Sequence, residues 1–146
     1  MAASLSIGAE LSNLGDIRRF VEDAALALQA EADATADVVL AVNEIATNII
    51  EHGYRRRPGT IEIDVRQNDD ALVVRLRDQA PPFDPTRAPA PDLSLSLDQR
   101  RFGGMGIHMA RHLVDQLIYH GGTDGGNELT LVKKGIIRNH PQGGDR

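Results

Sequence analysis

The chain has 146 residues, enough for one ordinary domain, and 41% hydrophobic with 25% charged residues points to a buried core rather than disorder. It contains no cysteine, which excludes disulfides, thiolate metal sites and a cysteine nucleophile. A net charge of −5 and only 3% aromatic residues leave neither a basic phosphate-binding face nor a base-stacking platform, so direct nucleic-acid binding is not expected.

No apolar run approaches the roughly 18 residues that a membrane span needs, so no membrane contact is expected. The first ten residues lack the basic stretch and apolar core of a secretory leader. Together with the missing cysteines, this fits a cytoplasmic protein.

Residues 4–10 alternate, with Leu5 and Ile7 on one side, and predict an edge strand. Ser12 or Asn13 is placed to cap a helix that runs from 14 to about 30 on the stripe Leu14, Ile17, Val21, Ala24, Ala25 and Leu28. A second helix is expected from 33–35 to about 52, with Val38, Val42, Ile45 and Ile49 facing the core and Gly53 ending it. Residues 60–67, with Ile61, Ile63 and Val65, and 71–77, with Leu72, Val74 and Leu76, alternate across a turn at 68–70, which predicts a hairpin. Five of the seven prolines fall in 78–104, which marks a long loop. A third helix follows Gly103 and Gly104, then strands at 117–120 and 128–134 joined by a glycine-rich turn. Residues 135–146 read as a flexible tail. The order β-α-α-β-β-loop-α-β-β predicts an α+β two-layer sandwich, with a mostly antiparallel sheet and helices on one face.

Three clusters carry possible chemistry. Glu44, Asn48 and His52 are spaced by four on the second helix, so they share one side of it. A carboxylate there can act as a general base, and an amide oxygen is a hard ligand suited to magnesium. Asp78 stands where a strand leaves the sheet, ahead of Ala80 and Phe83, and can accept a hydrogen bond from an exocyclic amine such as that of adenine. Gly103, Gly104, Met105, Gly106 and Ile107 open the third helix, where glycines let backbone amides approach phosphates. Taken alone, each cluster has a plainer reading: a solvated helix face, a proline-rich turn, a glycine hinge. His108 and His112 are also four apart, but no third ligand accompanies them, so they read as surface groups.

In this order the clusters resemble the motifs of the GHKL ATPases, and more narrowly those of the bacterial anti-sigma factor serine kinases. The run from Glu44 through Asn48 and His52 to Tyr54 resembles the N box, residues 78–84 the first glycine box, and Gly104 to Ile107 the second. Residues 126–131 resemble the final strand. The resemblance covers about residues 4–134 and implies a Bergerat fold over 1–134, with an ATP lid at about 85–102. It implies Glu44 as catalytic base and Asn48 as the ligand of Mg2+. It implies an ATP site formed by Asn48, His52, Asp78, Ala80, Phe83, Gly103, Gly104, Met105, Gly106, Ile107, Asn127 and Thr130. It also implies a homodimer that phosphorylates a serine on a STAS-type anti-sigma factor antagonist and sequesters a sigma factor, with Arg18 and Arg19 toward partners. A module of the same fold that only holds its partner is the alternative. Two positions depart from the pattern. Ala80 stands where glycine is usual, and a positive φ there would cost alanine roughly 1 kcal/mol or more. Asn127 stands where threonine is usual, which alters one contact.

Overall fold

Alternating sequence builds the sheet, and three amphipathic helices cover one of its faces. The structure is a computed structural model and describes residues 2–87, 104–121 and 125–137. Its strands are β1 (Ala2–Gly8), β2 (Thr60–Asn68), β3 (Ala71–Asp78), β4 (Gln116–Gly121) and β5 (Asn127–Lys133). They form one antiparallel sheet in the order β1-β2-β3-β5-β4. The helices are α1 (Leu14–Ala27), α2 (Ala32–Asn48) and α3 (Gly104–Leu113).

The period-two pattern decides which residues are buried. Ile61, Ile63 and Val65 of β2, and Leu72, Val74 and Leu76 of β3, point into the core. They meet Ile17 and Val21 of α1, Val38, Val42 and Ile45 of α2, and Ile107 and Ala110 of α3. The opposite sheet face is mixed, with Val73 and Val132 paired on it beside charged residues. There Asp64 accepts from Ser4 Oγ at 2.8 Å and from Arg75 Nη2 at 2.6 Å, and Arg77 Nη2 lies 3.4 Å from Glu62. The two-layer α+β expectation therefore holds.

Several boundaries differ from the expected ones, for local reasons. β1 ends at Gly8, because Asn13 Nδ2 donates to the Gly8 carbonyl and the chain turns there instead of capping α1 with that side chain. α1 stops at Ala27, and Gln29 follows at φ +63°. α2 starts earlier than expected, since Glu31 caps it through the backbone amides of Asp33 and Ala34. Its far end widens into a π turn over Ile49–Gly53, closed by Tyr54 N–H donating to Ile49 O at 2.8 Å.

The flexible tail expected from residue 135 onward is corrected at its start. Ile136 and Ile137 are 3% and 5% exposed and belong to the core. Both their amides donate to Asp70 O, Glu31 N–H donates to Ile136 O, and Ile137 bridges Ala30. Two adjacent isoleucines gain more from burial than the chain loses in freedom. Residues 138–146 lie outside the described residues.

Candidate nucleotide site

One end of the sheet is left open between the end of α2 and the loop that follows β3. A cleft of about 1050 Å³ lies there, large enough for a cofactor-sized ligand. Asn48 and His52 reach it from α2 and the π turn, Asp78, Ala80 and Phe83 from the end of β3, and Asn127 from β5. Six residues expected in an ATP site thus share one cavity.

Asp78 is 5% exposed, and β-pairing to Ile61 and Asn127 holds its backbone. Its Oδ1 accepts from Ala80 N–H at 2.9 Å and from Asn127 Nδ2 at 2.9 Å. Its Oδ2 accepts no hydrogen bond among the described residues, so a hydrogen-bond acceptor remains for a ligand in the cleft. Burial raises the Asp78 carboxyl above its ordinary value, and the two accepted bonds only partly offset this.

Asn127 organises the rest. It is 7% exposed, and its Oδ1 accepts from Phe83 N–H at 2.8 Å and from the Tyr119 hydroxyl at 2.7 Å. Its Nδ2 also donates to Pro81 O at 3.2 Å. One amide side chain therefore ties the loop of residues 78–83 to β4 and β5, a task that calls for both a donor and an acceptor. The altered contact expected at this position is a clamp on Asp78. Gly126 permits the approach: it has φ +81°, and a Cβ there would lie 2.3 Å from Asp78 O. Gly126→Ala should cost at least about 2 kcal/mol, from the positive φ and the clash together, read as a fall in denaturation midpoint.

On the other wall, Gly53 packs against Ala80, where a Cβ on Gly53 would stand 3.1 Å from the Ala80 methyl. Ala80 has no positive φ and is buried, so the strain expected at this position is absent. Tyr54 crosses the ends of β2 and β3, donating to Thr60 O at 2.8 Å and accepting from Gln79 N–H at 2.7 Å. Gly59 leaves room for its ring.

Partial burial lowers His52 below 6.5, Glu51 opposes this, and Arg55 adds to it. A lowered base favours the fold while neutral. That stability is complete above 6.5 and is lost as pH falls through the lowered value. His52→Gln should therefore flatten the loss of stability between pH 7 and 5, measured by urea unfolding across that range.

Other expected site residues fall elsewhere. Thr130 is corrected. Alternation along β5 buries Asn127, Leu129 and Leu131, so Thr130 faces the other side of the sheet opposite Arg75 and cannot reach the cleft. The Ile107 side chain belongs to the core rather than to the cleft lining. Gly104, Met105 and Gly106 form the first turn of α3, while Gly103 lies outside the described residues. Of the expected lid, residues 88–102 lie outside them too. Pro85–Arg87 forms a 3-10 turn, with Asp84 Oδ1 accepting from Thr86 N–H. Glu44 lies one turn before Asn48 on α2, beyond the cleft lining. Arg18 Nη1 donates to Asn43 Oδ1 at 2.7 Å, and Arg19 pairs with Asp16 on the exposed side of α1, away from the cleft. Among the described residues no three His, Cys, Asp or Glu side chains cluster to hold a metal, and no helix is long and apolar enough to cross a membrane.

Residues 7–133 match the model of the histidine kinase-like ATPase domain. The chain belongs to that family. This histidine kinase-like ATPase domain is 30% identical over 130 residues to the serine/threonine-protein kinase BtrW of Bordetella bronchiseptica, covering 88% of this chain and 91% of that one. It is 28% identical over 120 residues to the anti-sigma F factor of Clostridium beijerinckii, covering 79% and 84%. Against the serine-protein kinase RsbW of Bacillus licheniformis it is 29% identical over 108 residues, covering 69% and 65%. Its fold also matches part of the solved structure of the RsbU and RsbW domains of a Mycobacterium tuberculosis protein. That match has a TM-score of 0.66 at 20% identity, over 94% of this chain and 32% of the longer one. Membership in this family implies ATP as the ligand of the fold.

Proposed function

We propose that this chain is an anti-sigma factor and an ATP-dependent protein serine kinase, whose nucleotide site is the cleft between α2 and the end of β3. It phosphorylates a serine on a small anti-sigma factor antagonist of the STAS type and sequesters a sigma factor, so that the two compete for it. The reading extends to a cytoplasmic homodimer with Arg18 and Arg19 on a partner-facing surface. The kinase domain extends through Ile137.

The observation that carries this reading is the order of groups along α2. Gly53 abuts Ala80, beside Asp78; Asn48 lies about 7 Å back along the helix axis and Glu44 about 6 Å further. A ligand anchored by its base at Asp78 extends its phosphates past Asn48 toward Glu44. Asp78 Oδ2 accepts the exocyclic amine of adenine. Asn48 lines the cleft, and its amide oxygen is a hard donor of the kind that suits a cation such as Mg2+. Magnesium and ATP, when bound, supply charge neutralisation and the transferable phosphoryl group. Glu44 takes the proton from the attacking serine hydroxyl. Gly104 and Gly106 offer backbone amides at the start of α3 to the phosphates.

The test is incubation with Mg-ATP and a candidate STAS-type antagonist, read by intact mass and peptide mapping. A single phosphate on one antagonist serine is expected. A pair that binds tightly but gains no phosphate would contradict the kinase reading and leave a module that only holds its partner.

A further inference from the structure

Three consecutive arginines follow the π turn, and they do different jobs. Arg56 is structural: its Nε and Nη2 meet Glu51 Oε2 at 2.8 and 2.7 Å, and its N–H donates to Ile50 O at 2.9 Å. Arg55 and Arg57 both line the cleft, are exposed, and make no side-chain hydrogen bond or ion pair among the described residues. Arg55 and Arg56 have φ of +55° and +63°, a left-handed conformation that L side chains adopt at a cost. Backbone strain held by surrounding bonds at the mouth of a cavity is where functional side chains are found.

The loop carrying these arginines crosses the ends of β2 and β3. Tyr54 bonds to Thr60 O and to Gln79 N–H, so residues 54–58 sit over the residue that follows Asp78. Asn48, which also lines the cleft, lies about 7 Å back from Gly53 along the helix axis. The backbone that carries Arg55 and Arg57 therefore stands at the Asp78 end of the cleft. A planar guanidinium stacks well on an aromatic base. Phe83, 55% exposed, lines the same cleft from the loop after β3.

We infer that Arg55 and Arg57 form a cationic rim that holds the adenine–ribose end of the nucleotide, with a guanidinium stacked on the base. This rests on the nucleotide-site reading above. It assigns base recognition to a second group of residues besides Asp78. It also gives Arg55 a role at a backbone position where glycine would be unstrained.

Arg55→Gln and Arg57→Gln, alone and combined, titrated with ATP, ADP and AMP, test the inference. The double variant should bind all three about 5- to 10-fold more weakly, by the same factor for each, with an unchanged unfolding midpoint. Unchanged affinities would overturn the inference and leave the nucleotide site intact. A loss that grows with the number of phosphates would overturn it too, because it moves the arginines to the phosphate end. A wild-type protein that binds none of the three would overturn both readings together.

Discussion

Replacing Glu44 by glutamine should lower phosphoryl transfer by about 10²–10⁴-fold while leaving ATP affinity within about twofold of wild type. The expectation follows from where Glu44 stands. It lies one helical turn beyond Asn48, on the side away from Asp78, and it does not line the cleft proposed for the nucleotide. It makes no hydrogen bond or ion pair among the described residues, so an isosteric amide removes the base and little else. The fold should change by no more than about 0.5 kcal/mol. Single-turnover transfer to the antagonist, measured beside nucleotide titration, separates the two effects. Normal turnover in Glu44→Gln would remove this residue from the chemistry. A parallel loss of binding would make it a ligand of the nucleotide.

Asp78→Asn should trade function for stability. In the folded chain the carboxylate is buried, and its pKa is raised above 3.8. An acid with a raised folded value costs the fold stability as pH climbs from 3.8 through that value, and the cost persists at neutral pH. Asparagine keeps an Oδ1 to accept from Ala80 N–H and Asn127 Nδ2, and it carries no charge to desolvate. The variant should therefore unfold at a higher temperature at pH 7, with the difference vanishing in acid. Binding should move the other way. In place of Oδ2, an NH2 group would face the adenine amine. Losing a hydrogen bond to a charged acceptor, about 1.5–3 kcal/mol, lowers ATP affinity about 10- to 100-fold. A variant less stable than wild type at neutral pH would mean that the charge, not only the shape, holds the loop of residues 78–83.

Much of the fold is legible because burial follows a period. β2 alternates along Ile61, Ile63 and Val65, β3 places Leu72, Val74 and Leu76 on the same face although Val73 is buried too, and the stripe Val38, Val42, Ile45 and Ile49 is buried along its whole length. The same rule could have placed Thr130. It lies between Leu129 and Leu131, both buried, and so belongs to the opposite face. The motif likeness carried it into the site against its own parity. Ile136 and Ile137 were hidden in a different way. Glycine and proline further along gave the last residues the look of a tail, although two isoleucines rarely stay in water. The π turn has no periodic signature of its own. Asn127 could be identified as a departure, but its roles toward Asp78, Phe83 and Tyr119 depend on three chain segments meeting. Arg55 and Arg57 carried no motif. Only the left-handed backbone and the crossing of Tyr54 over Gln79 turn them toward the cleft.

The central claim is that this cleft is an adenine-nucleotide site that works with magnesium. Calorimetric titration of the wild-type protein with ATP, with and without Mg2+, and then with GTP, tests it most directly. The account predicts saturable binding of one ATP per chain that strengthens with Mg2+, and GTP at least about tenfold weaker, because guanine presents a carbonyl where Asp78 requires an amine. Equal affinity for the two nucleotides, or no binding of either, would contradict it.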